Sequence, residues 1–347
     1  MSGGVDSSVA AWVLQQMGYE VIGITMKTWA RDHKAGEKSC CGVDAVDDAA
    51  RVAAQLDIPY VALDMEQVFR ETVIENFQSE YFKGRTPNPC IVCNYKLKFG
   101  YLLQKAEEFG CDFVATGHYA LMAEQDGRLF VTRGKDENKD QSYVLYNLTQ
   151  EQLKKTLLPI GGYTKERIRE IAREQGFLRV AAKPDSVGIC FVTDSYKDYL
   201  KAQARDKMAS GDMLDVKGAV VGRHEGIALY TIGQRKGLGV SFPEKTFVTN
   251  IDPDKNTVTI GQREDLLRWK MEVRDLNWMG LAQQTEPFEA MVKIRYHHKP
   301  VVARCEPNGD LMQVVFFSPQ EAVAPGQSAV LYDGDKILAG GIINKAC

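Results

Sequence analysis

The sequence lacks the features that would place the protein in a membrane or outside the cell. No apolar run approaches the roughly 18 residues of a membrane span, and no charged start followed by an apolar core marks a signal peptide. We therefore expect a cytoplasmic protein without a membrane partner. Its eight cysteines are then expected to be reduced thiols, metal ligands or catalytic groups rather than a disulfide framework.

Neither sign of charge is in large excess. The chain has 43 lysines and arginines against 46 aspartates and glutamates, which gives a net charge of -3. The overall field therefore does not indicate nucleic-acid binding, and any such contact must come from local patches. At about 150 residues per domain, the 347 residues predict two or three domains.

A Walker A loop is also absent from the sequence, because no glycine is followed after four residues by Gly-Lys-Ser or Gly-Lys-Thr. A different glycine-rich loop opens the chain and runs directly into a helical pattern. Adjacent glycines let the backbone approach a ligand, and the amides of a helix start point at bound anions. The loop therefore predicts an ATP phosphate site made by Ser2, Gly3, Gly4, Val5, Asp6 and Ser7. The alternative is an ordinary helix start capped by Asp6 or Ser7.

Strand and helix patterns alternate from Ser7 to about Leu200. They predict strands at 21–26, 60–64 and 112–116 and helices at 44–56, 66–81 and 96–109. Such alternation is typical of an α/β domain with a parallel sheet covered on both faces. Because ligands bind at the carboxyl ends of parallel strands, we expect Met26 and Gly117 beside the phosphate loop.

A phosphate loop of this kind normally follows a buried strand, whereas only Met1 precedes it here. We expect that the sequence begins late and that the first strand of the sheet is missing.

The second half of the chain has short alternating strands broken by glycine, for example at 228–233, 257–261, 291–296 and 313–317. These patterns predict three domains: a nucleotide-binding and catalytic domain over 1–205, a small β-rich domain over 206–272, and a C-terminal β-barrel over 273–347.

Two cysteine segments stand out. Cys90 and Cys93 follow a proline-rich stretch, which we interpret as a rigid loop presenting both thiols, and Cys190 lies 97 positions after Cys93. With the phosphate loop, these segments closely resemble the tRNA 2-thiouridylase family of ATP pyrophosphatases over nearly the whole chain. The markers are the opening loop, 86–89 with 93–94, 117–119, 139–143, 183–191 and 230–237. Cys40, Cys41, Cys111, Cys305 and Cys347 are expected to be unreactive packing or surface thiols.

The resemblance implies a fold and an activity. The fold is an α/β ATP pyrophosphatase domain of the adenine nucleotide alpha hydrolase-like type, followed by a small central domain and a β-barrel. The enzyme would use ATP and Mg²⁺ to adenylate the C2 oxygen of the wobble uridine in tRNA. Cys190 would carry a persulfide from a sulfur-carrier protein or a cysteine desulfurase relay, and Cys93 would be the nucleophile that forms a disulfide with it. Alternatively, the persulfide attacks the carbon directly.

Either route needs a thiol of lowered pKa. Lys96, Lys98 or a helix N-terminus after Asn94 could lower it.

The resemblance also implies contacts with the anticodon loop of tRNA. The target base would lie against Asn88, Pro89 and Cys90. The predicted tRNA contacts outside that pocket are His118, Lys139, Asp140, Gln141, Arg295, Tyr296 and Gln327.

Three alternatives stay open at this point. Cys90, Cys93 and Cys190 could be three ligands of an iron-sulfur cluster with one open iron. The chain could be an amidotransferase-type adenylating enzyme of the same loop family, which would not need these cysteines. It could also be a non-catalytic RNA-binding protein whose loop senses nucleotide.

Overall fold

The computed structural model describes residues 1–28, 43–185, 188–192, 195–203, 207–240 and 244–347. The predicted thiols Cys40 and Cys41 lie outside these residues. The chain forms two compact units. The first comprises Met1–Ile74, Cys90–Thr193 and Asp335–Ile337, and the second comprises Glu75–Pro89, Asp194–Gly334 and Leu338–Cys347.

The helices of the described residues are mostly short. They are α1 (Val5–Gln16), α2 (Val43–Gln55), α3 (Glu66–Phe69), α4 (Glu75–Phe82), α5 (Pro89–Val92), α6 (Leu102–Glu108), α7 (Gln150–Lys154), α8 (Lys165–Glu174), α9 (Leu178–Ala182) and α10 (Tyr196–Gln203). Two segments, Arg70–Ile74 and Cys93–Tyr101, are π-helical, and 3-10 turns occur at Ser142–Leu145, Ile227–Leu229 and Glu264–Leu266. In these ranges no helix combines the length and apolar character needed to cross a bilayer.

The strands become long only towards the C-terminus. They are β1 (Gly23–Lys27), β2 (Tyr60–Asp64), β3 (Val114–Ala115), β4 (Ala120–Gln125), β5 (Arg128–Arg133), β6 (Thr156–Leu157), β7 (Gly211–Leu214), β8 (Val220–His224), β9 (Phe247–Asp252), β10 (Thr257–Gly261), β11 (Leu267–Asn277), β12 (Phe288–Lys293), β13 (Val301–Asn308), β14 (Leu311–Glu321), β15 (Ser328–Asp333) and β16 (Lys336–Ala346).

The first unit contains the predicted parallel strands. β1 pairs with β2 from Gly23 opposite Tyr60 to Lys27 opposite Asp64, and β3 pairs with β6. The predicted parallel pairing is therefore confirmed. Within the described residues, however, the strands form two separate pairs rather than one continuous sheet.

The core of the first unit holds α1 against α8 and α9. Val9 of α1 and Ile168 of α8 are fully buried in this cluster. The Thr164 side chain caps α8 by accepting a hydrogen bond from the Arg167 amide at 3.3 Å. This cap fixes the first turn of α8, so that Lys165 lies at the helix start, within reach of α1.

The second unit is mostly β structure. β8, β7, β10 and β9 form a four-stranded sheet in that order. β11, β14, β13, β12, β15 and β16 follow one another around a barrel, which closes because β16 pairs with β11, with Ala346 opposite Met271. The predicted C-terminal barrel is thus confirmed.

One predicted strand of this unit is wrong. Residues 228–233 lie in and after a 3-10 turn that Gly226 introduces with φ +151°. The turn buries consecutive residues, including Ala228 and Leu229, whereas a strand with one solvated face would bury alternate ones. Because these consecutive residues are all buried, they form an apolar run in the sequence, and that run resembled a strand.

The barrel interior contains one cysteine. Cys305 of β13 is completely buried, and burial raises the pKa of its thiol to about 12. Val292, Val314 and Leu331 from three neighbouring strands are equally buried in the same cluster. Cys305 therefore serves as a small apolar core residue.

Candidate active site

The opening loop is built for close approach to a ligand. Gly4 is the N-cap of α1, and no side chain of the described residues caps the helix. Gly3 has φ +66°, and a Cβ there would lie 2.3 Å from the Ala45 carbonyl oxygen, so only glycine fits. The helix starts at Val5, which leaves its first amides without intrahelical acceptors. The alternative prediction of a cap by Asp6 or Ser7 is wrong.

Two serines hold the loop in shape. The Ser2 amide donates to Ser7 Oγ at 3.0 Å, and the two hydroxyl oxygens are 3.2 Å apart. Ser7 Oγ in turn donates to the Gly4 carbonyl at 3.1 Å. Both hydroxyls therefore lie together at the start of α1, near the amides that would face a phosphate.

Asp6 is held by residues from two other elements. Tyr119 donates its hydroxyl to Asp6 Oδ1 at 2.6 Å, and Lys165 Nζ lies 2.7 Å from Oδ1 and 2.8 Å from Oδ2. Burial and the neighbouring Asp6 carboxylate raise the pKa of Tyr119, so its hydroxyl stays protonated as a donor. Sequence reasoning missed Lys165, because a lone lysine at a helix start carries no motif.

Gly117 lies against the phosphate loop. A Cβ built on it would be 2.8 Å from the Asp6 carbonyl carbon and 2.9 Å from the Ser7 nitrogen. Met26 lies near the end of β1, partly buried, opposite Leu63 of β2. The structure therefore brings Gly117 to the loop, whereas the place of Met26 beside the loop stays a prediction.

Cys90 and Cys93 lie on a helix rather than on the predicted loop. Cys90 is in α5 and is exposed, whereas Cys93 is the first residue of the π-helical segment Cys93–Tyr101 and is partly buried. The prolines set the start of this helix, since Pro89 occupies its first position, where no amide donor is needed. The predicted helix N-terminus after Asn94 is therefore wrong.

The Cys93 thiol is not activated as expected. Burial raises its pKa, the positive charge of Lys98 partly offsets this, and Cys90 adds a smaller increase. Of the two lysines considered, Lys98 is the one whose charge acts on the thiol; the Lys96 side chain is exposed. The expectation of a net lowered pKa for Cys93 is wrong for this structure.

Asn94 anchors the segment beside Cys93. Its side chain is buried and its Nδ2 donates to the Val144 carbonyl at 2.9 Å. Its Oδ1 is buried and has no hydrogen-bond partner among the residues that the structure describes. Asn94 therefore fixes the first turn of the nucleophile segment against the 3-10 turn Ser142–Leu145.

Cys190 is exposed, and the next residue anchors it. Phe191 is buried and packs edge-to-face on Phe69, with ring centroids 5.7 Å apart. Cys90, Cys93 and Cys190 do not form a cluster that could hold a metal ion within the ranges that the structure describes. The cysteines of an iron-sulfur cluster each bind a different iron, so that alternative is left to an iron assay.

The predicted tRNA contacts of the first unit have internal partners. His118 is buried, and its Nδ1 lies 2.7 Å from Thr116 Oγ1; burial and then Lys98 lower its pKa well below the usual value. Asp140 is buried too, and its Oδ1 accepts from the Ser142 amide at 3.0 Å. These surroundings argue against direct RNA contact by His118 or Asp140.

The two residues flanking Asp140 are more accessible. Gln141 Oε1 accepts from the Tyr119 amide at 3.0 Å, next to the Tyr119 hydroxyl bond to Asp6. Lys139 is partly exposed and forms an ion pair with Asp185 at 2.7 Å. Gln141 and Lys139 therefore lie close to the groups that shape the phosphate loop.

Gln327 of the second unit supports the segment that leads to Asn88 and Pro89. Its Nε2 donates to the Thr86 carbonyl at 2.8 Å, and the Thr86 amide donates to the Pro325 carbonyl at 2.8 Å. Gln327 therefore has a structural role in addition to the predicted RNA contact.

Arg295 and Tyr296 follow β12 in the barrel. Arg295 Nη1 donates to the Glu321 carbonyl at 3.1 Å, and Lys293 lies over the Tyr296 ring at 5.5 Å. Lys293, Arg295 and Tyr296 are all partly exposed, and the contact of Arg295 and Tyr296 with RNA stays a prediction.

Family models match the chain in three consecutive parts. Residues 1–194 match the model described as tRNA methyl transferase HUP domain, residues 197–262 the tRNA methyl transferase PRC-barrel domain, and residues 268–343 the aminomethyltransferase beta-barrel domain. The predicted fold class is confirmed by these matches together with the closed barrel.

Curated proteins match over nearly the full length. The chain is 48% identical over 351 residues to the tRNA-specific 2-thiouridylase MnmA of Clostridioides difficile (strain 630), covering 100% of this chain and 97% of that protein. It is 49% identical over 348 residues to the protein of that name from Clostridium perfringens (strain 13 / Type A), with coverages of 99% and 96%. It is 47% identical over 349 residues to the protein of that name from Moorella thermoacetica, covering 99% of this chain and 98% of that protein. On this identity and coverage, the chain belongs to the tRNA-specific 2-thiouridylase family.

Proposed function

We propose that this protein is a cytoplasmic, ATP-dependent tRNA-uridine 2-sulfurtransferase that makes 2-thiouridine at the wobble position. The observation that carries the proposal is the uncapped phosphate loop with Gly117 packed against it, in a chain that matches 2-thiouridylases along its whole length. The loop supplies the ATP chemistry, and the cysteines supply the sulfur chemistry.

The first step activates the uridine. Its C2 oxygen attacks the α-phosphorus of ATP, the bond to the β-phosphate oxygen breaks, and pyrophosphate leaves. We assign the amides of Gly3, Gly4 and Val5 and the hydroxyls of Ser2 and Ser7 to holding that pyrophosphate. Asp6 shapes the loop, because Tyr119 and Lys165 already occupy its carboxylate oxygens. Mg²⁺ would then enter with the triphosphate.

The second step delivers sulfur. A sulfur-carrier protein or cysteine desulfurase relay would leave a persulfide on Cys190, whose exposed position suits access by another protein. The Cys93 thiolate attacks the inner sulfur, a Cys93–Cys190 disulfide forms, and hydrosulfide is released. Hydrosulfide attacks C2, and AMP departs with the former C2 oxygen. An external thiol must then reduce the disulfide for another turnover.

The tRNA contacts implied by the family resemblance are kept as proposals. We keep Asn88, Pro89 and Cys90 as the proposed contacts of the target base, because they directly precede the turn that carries Cys93. Lys139, Gln141, Arg295, Tyr296 and Gln327 stay proposed contacts of the anticodon arm.

Three rival functions make different demands on the same residues. An iron-sulfur version needs Cys90, Cys93 and Cys190 as ligands and predicts that the active protein contains iron. An amidotransferase-type synthetase would not need Cys93 or Cys190. A methyl transferase, the word used in two of the family descriptions, would need a methyl donor and would release no pyrophosphate.

The test is an anaerobic reaction of the purified protein with ATP, Mg²⁺, sulfide and unmodified tRNA, followed by nucleoside mass spectrometry and an iron assay. We expect 2-thiouridine and tRNA-dependent pyrophosphate release without bound iron. A persulfide donor then replaces sulfide to examine Cys93→Ser and Cys190→Ser, with Cys111→Ser as the matched control. The two variants should lose thiolation and keep pyrophosphate release. If Cys93→Ser and Cys190→Ser both still thiolate tRNA from the persulfide donor, the proposed sulfur route is excluded.

A further inference from the structure

Three cations converge on the carboxylate of Asp185. Lys139 Nζ lies 2.7 Å from Oδ2, Lys165 Nζ lies 3.0 Å from Oδ1, and Arg169 Nη2 lies 2.6 Å from Oδ1. The Arg169 Nη1 also donates to the Lys183 carbonyl at 2.9 Å. The chain is therefore fixed at Asp185 and just before it, five positions ahead of Cys190.

One of these cations is shared with the phosphate loop. Lys165 is only 12% exposed, and its ammonium also lies 2.7 Å and 2.8 Å from the two oxygens of Asp6. A largely buried ammonium held by two carboxylates has little freedom to leave either without a replacement. Asp6 and Asp185 are thus tied through a single group.

A second lysine ties the same stretch of chain to the loop. Lys183 Nζ donates to the Gly3 carbonyl at 3.1 Å and pairs with the buried carboxylate of Asp48. After Cys190, the contact of Phe191 with Phe69 provides another anchor. Within the described residues, the chain is thus anchored to the phosphate loop up to Asp185 and again at Phe191, directly after the exposed thiol of Cys190.

We propose that Asp185 is a positioning residue that ties the Cys190 segment, meaning the described residues 188–192, to the phosphate loop through the shared ammonium of Lys165, so that nucleotide in the loop changes the reactivity of Cys190. This inference rests on the proposed function, because it takes ATP as the ligand of the loop. A triphosphate carries more negative charge than one carboxylate and competes for Lys165. Asp185 then loses one of its three partners, and the Cys190 segment is held less firmly.

The test measures alkylation of Cys190 by iodoacetamide, quantified by peptide mass spectrometry, with and without an ATP analogue that has a methylene group between the α- and β-phosphorus. In the unmodified protein we expect the analogue to accelerate labelling of Cys190 at least threefold. In Asp185→Asn, labelling without nucleotide should already be at least threefold faster, and the analogue should add little. Asp185→Glu should restore the nucleotide effect.

Two further variants distinguish the specific link through Lys165 from a general loosening of the fold. Lys165→Gln should also remove the nucleotide effect, whereas Lys154→Gln, which breaks only an exposed ion pair with Glu151, should keep it. Circular dichroism checks that each variant is folded, and labelling of Cys111 in the same digest reports nonspecific opening.

The outcomes are distinguishable. An equal nucleotide effect in the unmodified protein, Asp185→Asn and Lys165→Gln would overturn the positioning role. So would bound analogue and normal tRNA-dependent pyrophosphate release with no change in Cys190 labelling. If the unmodified protein neither binds the analogue nor releases pyrophosphate, the proposed function itself fails, and the tie to ATP fails with it.

Discussion

Gly117 lies so close to Asp6 that a Cβ at this position would be 2.8 Å from the Asp6 carbonyl carbon and 3.0 Å from the Asp6 Cβ. Two backbone segments meet there, so neither can yield by rotating a side chain. The glycine after β3 therefore sets the position of the phosphate loop as much as the loop's own glycines do.

We predict that Gly117→Ala lowers tRNA-dependent pyrophosphate release at least tenfold. The added methyl group would push the start of α1 away, with a strain of about 1–3 kcal/mol. Gly162→Ala is the control, because a Cβ at Gly162 meets nothing within 4 Å. Equal activities of the two variants would show that the close approach has no role in catalysis.

Lys98→Gln should make the Cys93 thiol harder to ionise. The charge of Lys98 opposes the effect of burial on the pKa of Cys93, so its removal raises that pKa further. The pH profile of Cys93 alkylation should shift to higher pH, and labelling at neutral pH should become severalfold slower. Lys96→Gln, which alters an exposed side chain of the same segment, should leave the profile in place.

Cys90→Ser should retain 2-thiouridine formation within about threefold, because serine is close to cysteine in size at the proposed base contact and only Cys93 and Cys190 carry sulfur in the persulfide route. An iron-sulfur route would instead lose activity and iron together when one of three ligands is replaced. Parallel assays of product and iron in this variant decide between the two routes. Conversion of Cys90 to serine changes little volume at an exposed position, so folding should be unaffected.

Gln327→Ala tests whether this residue supports the chain or binds RNA. Loss of its hydrogen bond to the Thr86 carbonyl should destabilise the second unit by about 1 kcal/mol in urea unfolding. Gln313→Ala, at an exposed position of β14, should not. Weaker tRNA binding with unchanged stability would show a direct RNA contact rather than a supporting one.

The carboxyl group of Asp185 makes the free energy of unfolding depend on pH in the acidic range. Burial would raise its pKa from 3.8, but hydrogen bonds and charges of Lys139 and Lys165 outweigh this and lower it to about 2. A depressed carboxyl pKa stabilises the fold above the unfolded value, and that contribution disappears as the pH falls from about 4 to about 2. Asp185→Asn should therefore cost about 1 kcal/mol near pH 6, a value reduced by solvent screening of the partly exposed group.

Urea unfolding at several pH values checks this dependence. The difference between the unmodified protein and Asp185→Asn should narrow steadily below pH 4. Glu151→Gln removes an exposed ion pair of the same unit; Lys154 also lowers the pKa of Glu151, but solvent screening should make its pH trend much smaller. A constant difference down to pH 2 would contradict the assignment.

The sequence was sufficient to locate features that have local signals. The strand at 60–64 is found with the predicted bounds, because turn residues bound its short run of β-branched and apolar residues. The glycines of the phosphate loop were recognisable because their spacing is part of the chemistry. The closed barrel was indicated by alternating segments broken by glycine, although its strands β11, β14 and β16 turn out to be 11 residues long.

Long-range electrostatics had no such signal. Lys165 reaches Asp6 across 159 positions of sequence, and nothing near Lys165 indicates that partner. The same reason explains the error at Cys93. Nearby lysines suggested a lowered pKa, whereas the burial that raises it depends on how the π-helical segment packs.

Chemical modification of the buried thiol of Cys305 would report unfolding of the barrel. With the side chain fully enclosed and the thiol pKa near 12, electrophiles and persulfides have no access to it while β13 stays paired. The time course of maleimide addition at Cys305 would thus record how often the barrel opens, and its inertness keeps this sulfur out of the exchange chemistry that Cys93 and Cys190 would carry out.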